Sequence, residues 1–254
     1  MSDELEHRAT SREITARDAE LPRRGQYGWD APYMLVLPAV LIAFNVWQGL
    51  LTRRPWPFIG AGLVALFCGF GWHSSRRGKF IVWRQILDDL QMRGDERLLD
   101  VGCGRGAVLL MAAGRLTTGH ATGIDLWRRQ DQSGNAMEAT RKNADAEGVA
   151  NRVSLETADM TALPFAAGSF DLILSSLAIH NVPGQDKRDR AIEEIVRVLS
   201  PGGRVAIADL RNIKRYRERF EALGMADVSV RNLGWKMWWG GPWVPTKLVT
   251  ARRT

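Results

Sequence analysis

The feature that most constrains this chain is Arg97-Leu98-Leu99-Asp100-Val101-Gly102-Cys103-Gly104-Arg105-Gly106. It reads as a short apolar strand, an acidic residue, and a turn with glycine at every second position. Glycine lacks Cβ and tolerates positive φ, so such a turn lets the backbone approach a ligand closely. Strand, glycine-rich turn and following helix form the nucleotide-cradling unit of doubly wound α/β folds. Taken alone, the glycine triplet does not choose among nucleotide ligands.

The remainder of the chain agrees with that fold class. Strand-like segments at Leu98–Val101, Ala121–Ile124, Val153–Glu156, Phe170–Ser175, Arg204–Ala208, Asp227–Arg231 and Lys247–Ala251 alternate with helical ones. The helices are expected over Ala107–Leu116, Ser133–Glu147, Lys187–Leu199 and Ile213–Leu223. This alternation predicts an α/β doubly wound, mostly parallel seven-stranded sheet, with ligands at the strand carboxyl ends.

Ahead of this domain the composition changes twice. Residues 1–30 form a polar N-terminal tail, of which the charged residues 1–26 are expected to be mobile or loosely helical. Residues 31–75 contain two uncharged runs, Tyr33–Leu51 and Pro55–Ser75, joined by Thr52-Arg53-Arg54. Each run is about 28–31 Å long as a helix, close to the bilayer's hydrocarbon thickness. Trp29, Trp47, Trp56 and Trp72 lie near the run ends, where amphipathic rings favour headgroups. These features predict a transmembrane helical hairpin with membrane lipid as partner; a buried hairpin of a soluble protein is the alternative. Arg23, Arg24, Arg76, Arg77 and Lys79 flank the hairpin, so both ends and the domain that follows are expected on the cytoplasmic side of the cell membrane. Gly78–Gly94 reads as a separate amphipathic helix leading into the domain of residues 76–254.

The net charge of +7 has no Lys/Arg block of five or more, which disfavours a nucleic-acid partner. Only Cys68 and Cys103 are present, so a disulfide framework is not expected. Four scattered His and these two Cys do not make a zinc site at ligand spacing.

Carboxylates mark the ends of the first three strands. Asp100 stands where a pyrophosphate is poorly served and a cationic group is welcome. Asp125, in Gly123-Ile124-Asp125-Leu126, is placed to accept both hydroxyls of a ribose. Asp159, in Thr157-Ala158-Asp159-Met160, suits an adenine amino group. Each acid alone has a plain alternative as a solvated strand-end residue.

Together with Phe170-Asp171-Leu172-Ile173-Leu174-Ser175-Ser176 and Leu199-Ser200-Pro201-Gly202-Gly203-Arg204, these blocks resemble class I S-adenosylmethionine-dependent methyltransferases over roughly residues 80–252. The resemblance implies a Rossmann-like methyltransferase fold and S-adenosylmethionine as cofactor. It implies Asp100, Gly102, Cys103, Gly104 and Gly106 around the methionine part, Asp125 and Leu126 at the ribose, and Ala158, Asp159 and Met160 at the adenine. Ser175 stands at the end of the strand that, in the family, faces the transferred methyl. Trp127 either stacks on the adenine or simply packs.

For catalysis, His180 is the candidate base near neutral pH, or else a helix-capping histidine. Ser176 and Asn181 are candidate positioning groups. Among acceptors, the Asn/Asp-Pro-Pro-aromatic loop of many amino-methylating nucleic-acid enzymes is absent, and no carboxylate cluster suggests a metal-dependent catechol site. What remains is a small-molecule acceptor: a quinone or phenol, a sterol or other lipid, or a small thiol. A non-catalytic S-adenosylmethionine-binding membrane module, or a nucleic-acid methyltransferase, is the competing reading. Four Trp in the nine residues Trp235–Trp243 either dip into the lipid interface, cover an acceptor pocket, or pack under the sheet.

Overall fold

The structure, a computed structural model, describes residues 24–30 and 36–254. The rest of the predicted polar tail and the start of the first uncharged run lie outside the described residues.

Strands β1 (Arg97–Val101), β2 (His120–Asp125), β3 (Val153–Thr157), β4 (Phe170–Ser176), β5 (Leu199–Asp209), β6 (Ala226–Asn232) and β7 (Lys247–Arg252) form one sheet in the order β3-β2-β1-β4-β5-β7-β6. The first five are parallel; β7 runs antiparallel to both of its neighbours. Beyond Arg97, β1 is buried throughout and apolar but for Asp100, as befits a strand covered on both faces. Alternate residues feed two cores. Leu98, Leu172, Leu174, Ala206 and Leu248 pack on one side. Leu99, Ile173, Val205, Ile207 and Val249 pack on the other. The first core is covered by helices Lys79–Asp89, Ala107–Ala113 and Met137–Glu147, the second by Gln185–Val198 and Ile213–Ala222. Connections run in opposite directions from β1 and β4, which are neighbours, so the crevice at their carboxyl ends is the switch point where such sheets bind ligands.

Before the sheet, helices α1 (Val36–Thr52) and α2 (Trp56–His73) form the expected hairpin. The two pack closely at small residues. A Cβ at Gly49 would lie 2.6 Å from the Phe58 ring, and one at Gly60 would lie 2.7 Å from the Asn45 amide oxygen. The large apolar side chains turn outward instead: Val40, Phe44, Trp47, Leu50, Trp56, Ile59, Leu63 and Leu66 are exposed. By length and composition, the helix beginning at Trp56 is apolar enough to cross a membrane, with 17% of its apolar window buried; α1 is apolar but shorter.

One boundary differs from the sequence expectation. α2 does not end before an independent amphipathic helix. It continues through a π-helical turn, Ser74–Gly78, into α3 (Lys79–Asp89), giving one helix over Trp56–Asp89. The wider turn re-aims the helix face, so a fully apolar stretch hands over to one burying Phe80, Val82, Trp83, Ile86 and Leu87 on the domain. Glycine is required at Gly78, because a Cβ there would come within 1.7 Å of the Lys236 carbonyl oxygen.

That carbonyl belongs to the tryptophan-rich loop, which is clamped onto the end of α2. Ser74 Oγ donates to the Trp238 carbonyl at 2.6 Å. Phe67 stacks on Trp243, Phe70 meets Trp238 edge-on, and His73 stacks on Trp235. Residues 24–30 also depart from a mobile tail. Their backbone donates to Glu147, Asn143 and Ser133, and Asp30 holds Lys79 Nζ at 2.7 Å. These residues act as a strap across helix α5 (Met137–Glu147).

Candidate functional site

At the carboxyl ends of β1 and β2, the chain turns sharply. Gly102 and Gly104 have φ of +77° and +51°. A Cβ on Gly102 would lie 2.2 Å from that of Ala178, and one on Gly104 would lie 2.6 Å from Gln132 Oε1. Only glycine fits this turn, which lines a cavity of about 730 Å³, within the span of small-molecule sites. The same wall includes Asp100, Cys103, Asp125, Asp159, Met160, Ser176, His180 and Asn181.

Asp100 is 1% exposed, and among the described residues neither carboxylate oxygen has a hydrogen bond of good geometry. Burial, partly offset by the Leu109 backbone N–H and reinforced by the nearby Asp125 charge, pushes its pKa up to about 8. An orphaned buried carboxyl on a cavity wall is matched by a cationic ligand group, whose arrival would hold it ionised. Cys103 beside it is buried, and burial pushes its thiol well above the usual range, so it stays a neutral thiol.

Asp125 is fixed by three donors. Oδ2 accepts Gly104 N–H at 2.9 Å; Oδ1 accepts Trp127 N–H at 2.6 Å and Asn135 Nδ2 at 3.2 Å. A carboxylate has about four acceptor sites, so one remains for a ligand hydroxyl. Asp159 Oδ1 accepts both the amide and the hydroxyl of Thr161 at 2.8 Å, which holds its carboxyl below the usual range. Among the described residues Oδ2 has no such partner, and Asp159 lines the cavity.

The remaining positions named from the sequence sort by strand geometry. Ser175 and Ser176 are neighbours on a strand, so they face opposite sides. Ser176 lines the cavity, with Trp83 Nε1 donating to its oxygen at 2.8 Å. Ser175 is fully buried away from the cavity and donates to the Val101 carbonyl at 2.8 Å. Gly106 caps helix α4 (Ala107–Ala113) with φ +83°, behind the wall. Ala158 packs on the second core, and Leu126 is 42% exposed outside the cavity. Trp127 is also off the wall, its indole N–H held by Thr157 Oγ1 at 2.8 Å.

On the acceptor side, Leu177 at φ +57° turns the chain out of β4 and places His180 on a short 3₁₀ turn, Ile179–Asn181. Asp209, at the end of β5 and fully buried, accepts the His180 backbone N–H at 3.0 Å and its ring Nδ1–H. It also accepts Leu210 N–H at 2.7 Å and the Tyr216 hydroxyl at 3.3 Å. Burial, with the adjacent Asp209 charge, raises the Tyr216 pKa, so Tyr216 remains a donor. A carboxylate on Nδ1 sets the tautomer, leaving Nε2 with its lone pair. His180 is therefore oriented by a buried acid as well as standing on the cavity wall.

Sequence reasoning missed Asp209, although it ends a strand as Asp100 and Asp125 do. It also missed Gln132 and Asp30. Gln132 Oε1 accepts Arg105 N–H at 2.8 Å, and Gln132 Nε2 donates to Asp30 at 2.9 Å, tying the glycine turn to the strap. No local motif announces these contacts, which join residues far apart in sequence.

Residues 99–207 match the methyltransferase domain family. The chain is 36% identical over 126 residues to methyltransferase GfsG of Streptomyces halstedii, covering 50% of this chain and 42% of that protein. It is 34% identical over 133 residues to the ubiquinone/menaquinone biosynthesis C-methyltransferase UbiE of Roseobacter denitrificans, covering 52% and 50% respectively. The chain thus spans about half the length of these curated relatives or less. Among solved structures, geranyl diphosphate methyltransferase in complex with SAM superposes with a TM-score of 0.56 at 17% identity, over 69% of this chain and 85% of that one. That likeness concerns the fold.

Proposed function

We propose, from the premise that this chain belongs to the class I S-adenosylmethionine-dependent methyltransferases, that it is a membrane-held enzyme methylating a small lipophilic acceptor at a hydroxyl or an activated ring carbon. The observation that carries the chemistry is His180, on the same cavity wall as the glycine turn and oriented by the buried Asp209 behind it.

The cofactor fits the site on the structure's own terms. Asp100 offers an orphaned buried carboxylate to a cationic group, Gly102 and Gly104 leave the space a Cβ would fill, and Asp125 and Asp159 present acceptors beyond them. When bound, S-adenosylmethionine supplies an electrophilic methyl for in-line displacement, so positioning furnishes much of the rate. This chain's residues do the remainder. His180 Nε2 takes the proton of the acceptor hydroxyl, or of the ring carbon, and Asp209 stabilises the resulting imidazolium. Ser176, held by Trp83, and Asn181 orient the acceptor. The relative named as a ubiquinone/menaquinone biosynthesis C-methyltransferase supports a small-molecule acceptor.

Membrane attachment is supported by the predominantly apolar, uncharged surface of α1 and α2. Arg76 and Arg77 in the π-helical turn supply cations where α2 would leave the bilayer. The reading places the domain on the cytoplasmic face. The test is incubation of His180→Ala and wild type with labelled cofactor and a panel of phenols, lipids and thiols. Loss of transfer to phenols with cofactor binding intact supports the base; unchanged turnover at neutral pH removes His180 from the mechanism.

A further inference from the structure

The cavity that holds the glycine turn and His180 does not stop at the domain. Its wall continues through Phe67, Cys68, Gly71 and Trp72 of α2, faced by Trp239 and Val244 of the tryptophan-rich loop. These α2 residues belong to the last two turns of the apolar helix. Phe67 lies six positions before His73, its final residue, or about 9 Å along the axis. The neighbouring Leu63 and Leu66 are 63% and 60% exposed on the lipid-facing surface. Both sides of this arm are fixed relative to each other, because the loop is bonded to Ser74, stacked on Phe67 and packed edge-on against Phe70.

We propose that this apolar arm is the binding site for the acceptor's hydrocarbon chain. The acceptor is a membrane lipid with a phenolic or similarly acidic head. It enters sideways from the cytoplasmic leaflet, its chain along Phe67–Trp72 and its head at His180. The inference rests on the membrane reading above and narrows its acceptor. A small polar thiol or amine gains nothing from such a wall, whereas a hydrocarbon chain gains affinity with each methylene it buries there. An arm opening within the depth of the apolar helix also spares the chain any passage through water.

The full chain, reconstituted in phosphatidylethanolamine/phosphatidylglycerol vesicles, is photolabelled with a long-chain alkylphenol bearing a diazirine in its chain. Labelled residues are then mapped by mass spectrometry. Adducts should concentrate on Phe67–Trp72 and Trp239, and should be competed by unlabelled long-chain phenol but not by the chain-free phenol. Gly71→Leu should abolish them. Its Cβ meets open space in the fold, so the substitution plugs the arm without a backbone clash. Gly69→Leu is the matched control, since its Cβ is equally open but off the cavity wall. Gly71→Leu should also lower kcat/KM for the long-chain phenol about tenfold or more, and leave cofactor Kd and the chain-free phenol within about twofold. Labelling spread evenly over the lipid-facing surface of α1 and α2, indifferent to Gly71→Leu, would overturn the proposal. Chain-specific labelling without any methyl transfer would uphold the arm and refute the catalytic reading. Transfer to phenols with no chain-specific labelling would do the reverse.

Discussion

Asp209 accepts two hydrogen bonds from His180, one from its backbone N–H and one from its ring Nδ1, across the gap between the ends of β4 and β5. The backbone bond fixes where the residue stands, and the ring bond fixes which nitrogen is basic. Asp209→Asn should therefore lower kcat about 10²-fold or more by losing the imidazolium's partner and the tautomer, as His180→Ala does by losing the base. Cofactor Kd should stay within about twofold in both variants, read by calorimetry. A matching rise in Kd would instead make the pair structural.

Asp100 makes binding and stability depend on pH in opposite senses. Its carboxyl is raised to about 8 in the folded, ligand-free chain, against an ordinary value near 4. The folded state therefore binds more protons between those pH values. Stability falls as pH rises from about 4 to about 8 and levels off above. A cationic ligand group favours the ionised form, so cofactor affinity should rise over the same range, with about one proton released on binding at pH 7. Calorimetry in buffers of different ionisation enthalpy measures that proton. Asp100→Asn should stabilise the ligand-free chain at pH 8, release no proton and bind cofactor more weakly.

Asp125 serves the turn as well as the ligand. Asp125→Ala removes the acceptor of Gly104 N–H and Trp127 N–H together with the ribose contact. At about 1.5–3 kcal/mol for the one bond to the ligand, cofactor affinity should fall about 10- to 100-fold. Normal binding by this variant would refute the ribose assignment.

The chemistry at the strand ends was legible because it is local. Asp100, Asp125 and Asp159 each lie at or just beyond the carboxyl end of a strand, and glycine spacing betrays a turn that admits no Cβ. Strand alternation explains where reading by block goes astray. Ser175 and Ser176 fall in one motif but face opposite sides of the sheet, and only Ser176 reaches the cavity. Asp30, Gln132 and Asp209 were not legible, since their roles arise from contacts between remote segments. The continuity of α2 with α3 was hidden by Ser74-Ser75-Arg76-Arg77-Gly78, whose polar composition reads as a break. In the fold Ser74 and Ser75 are buried against Trp238 and Asp30, and the helix widens there instead of ending.

The hairpin should behave as an integral anchor. Wild type should stay in the membrane fraction through carbonate extraction. Leu63→Arg with Leu66→Arg, each costing about 2.5–3.5 kcal/mol at a helix centre, should release it. Release of the wild type by carbonate would favour a peripheral or soluble hairpin.

The most direct test of the whole account is transfer of the labelled methyl group from S-adenosylmethionine by the full chain in lipid vesicles, with phenolic lipid, thiol and nucleic-acid acceptors offered in parallel. Label should appear in the lipid fraction, depend on His180 and Asp209, and be absent from the thiol and nucleic-acid fractions. Tight cofactor binding with no label in the lipid fraction, or label recovered in nucleic acid, would contradict it.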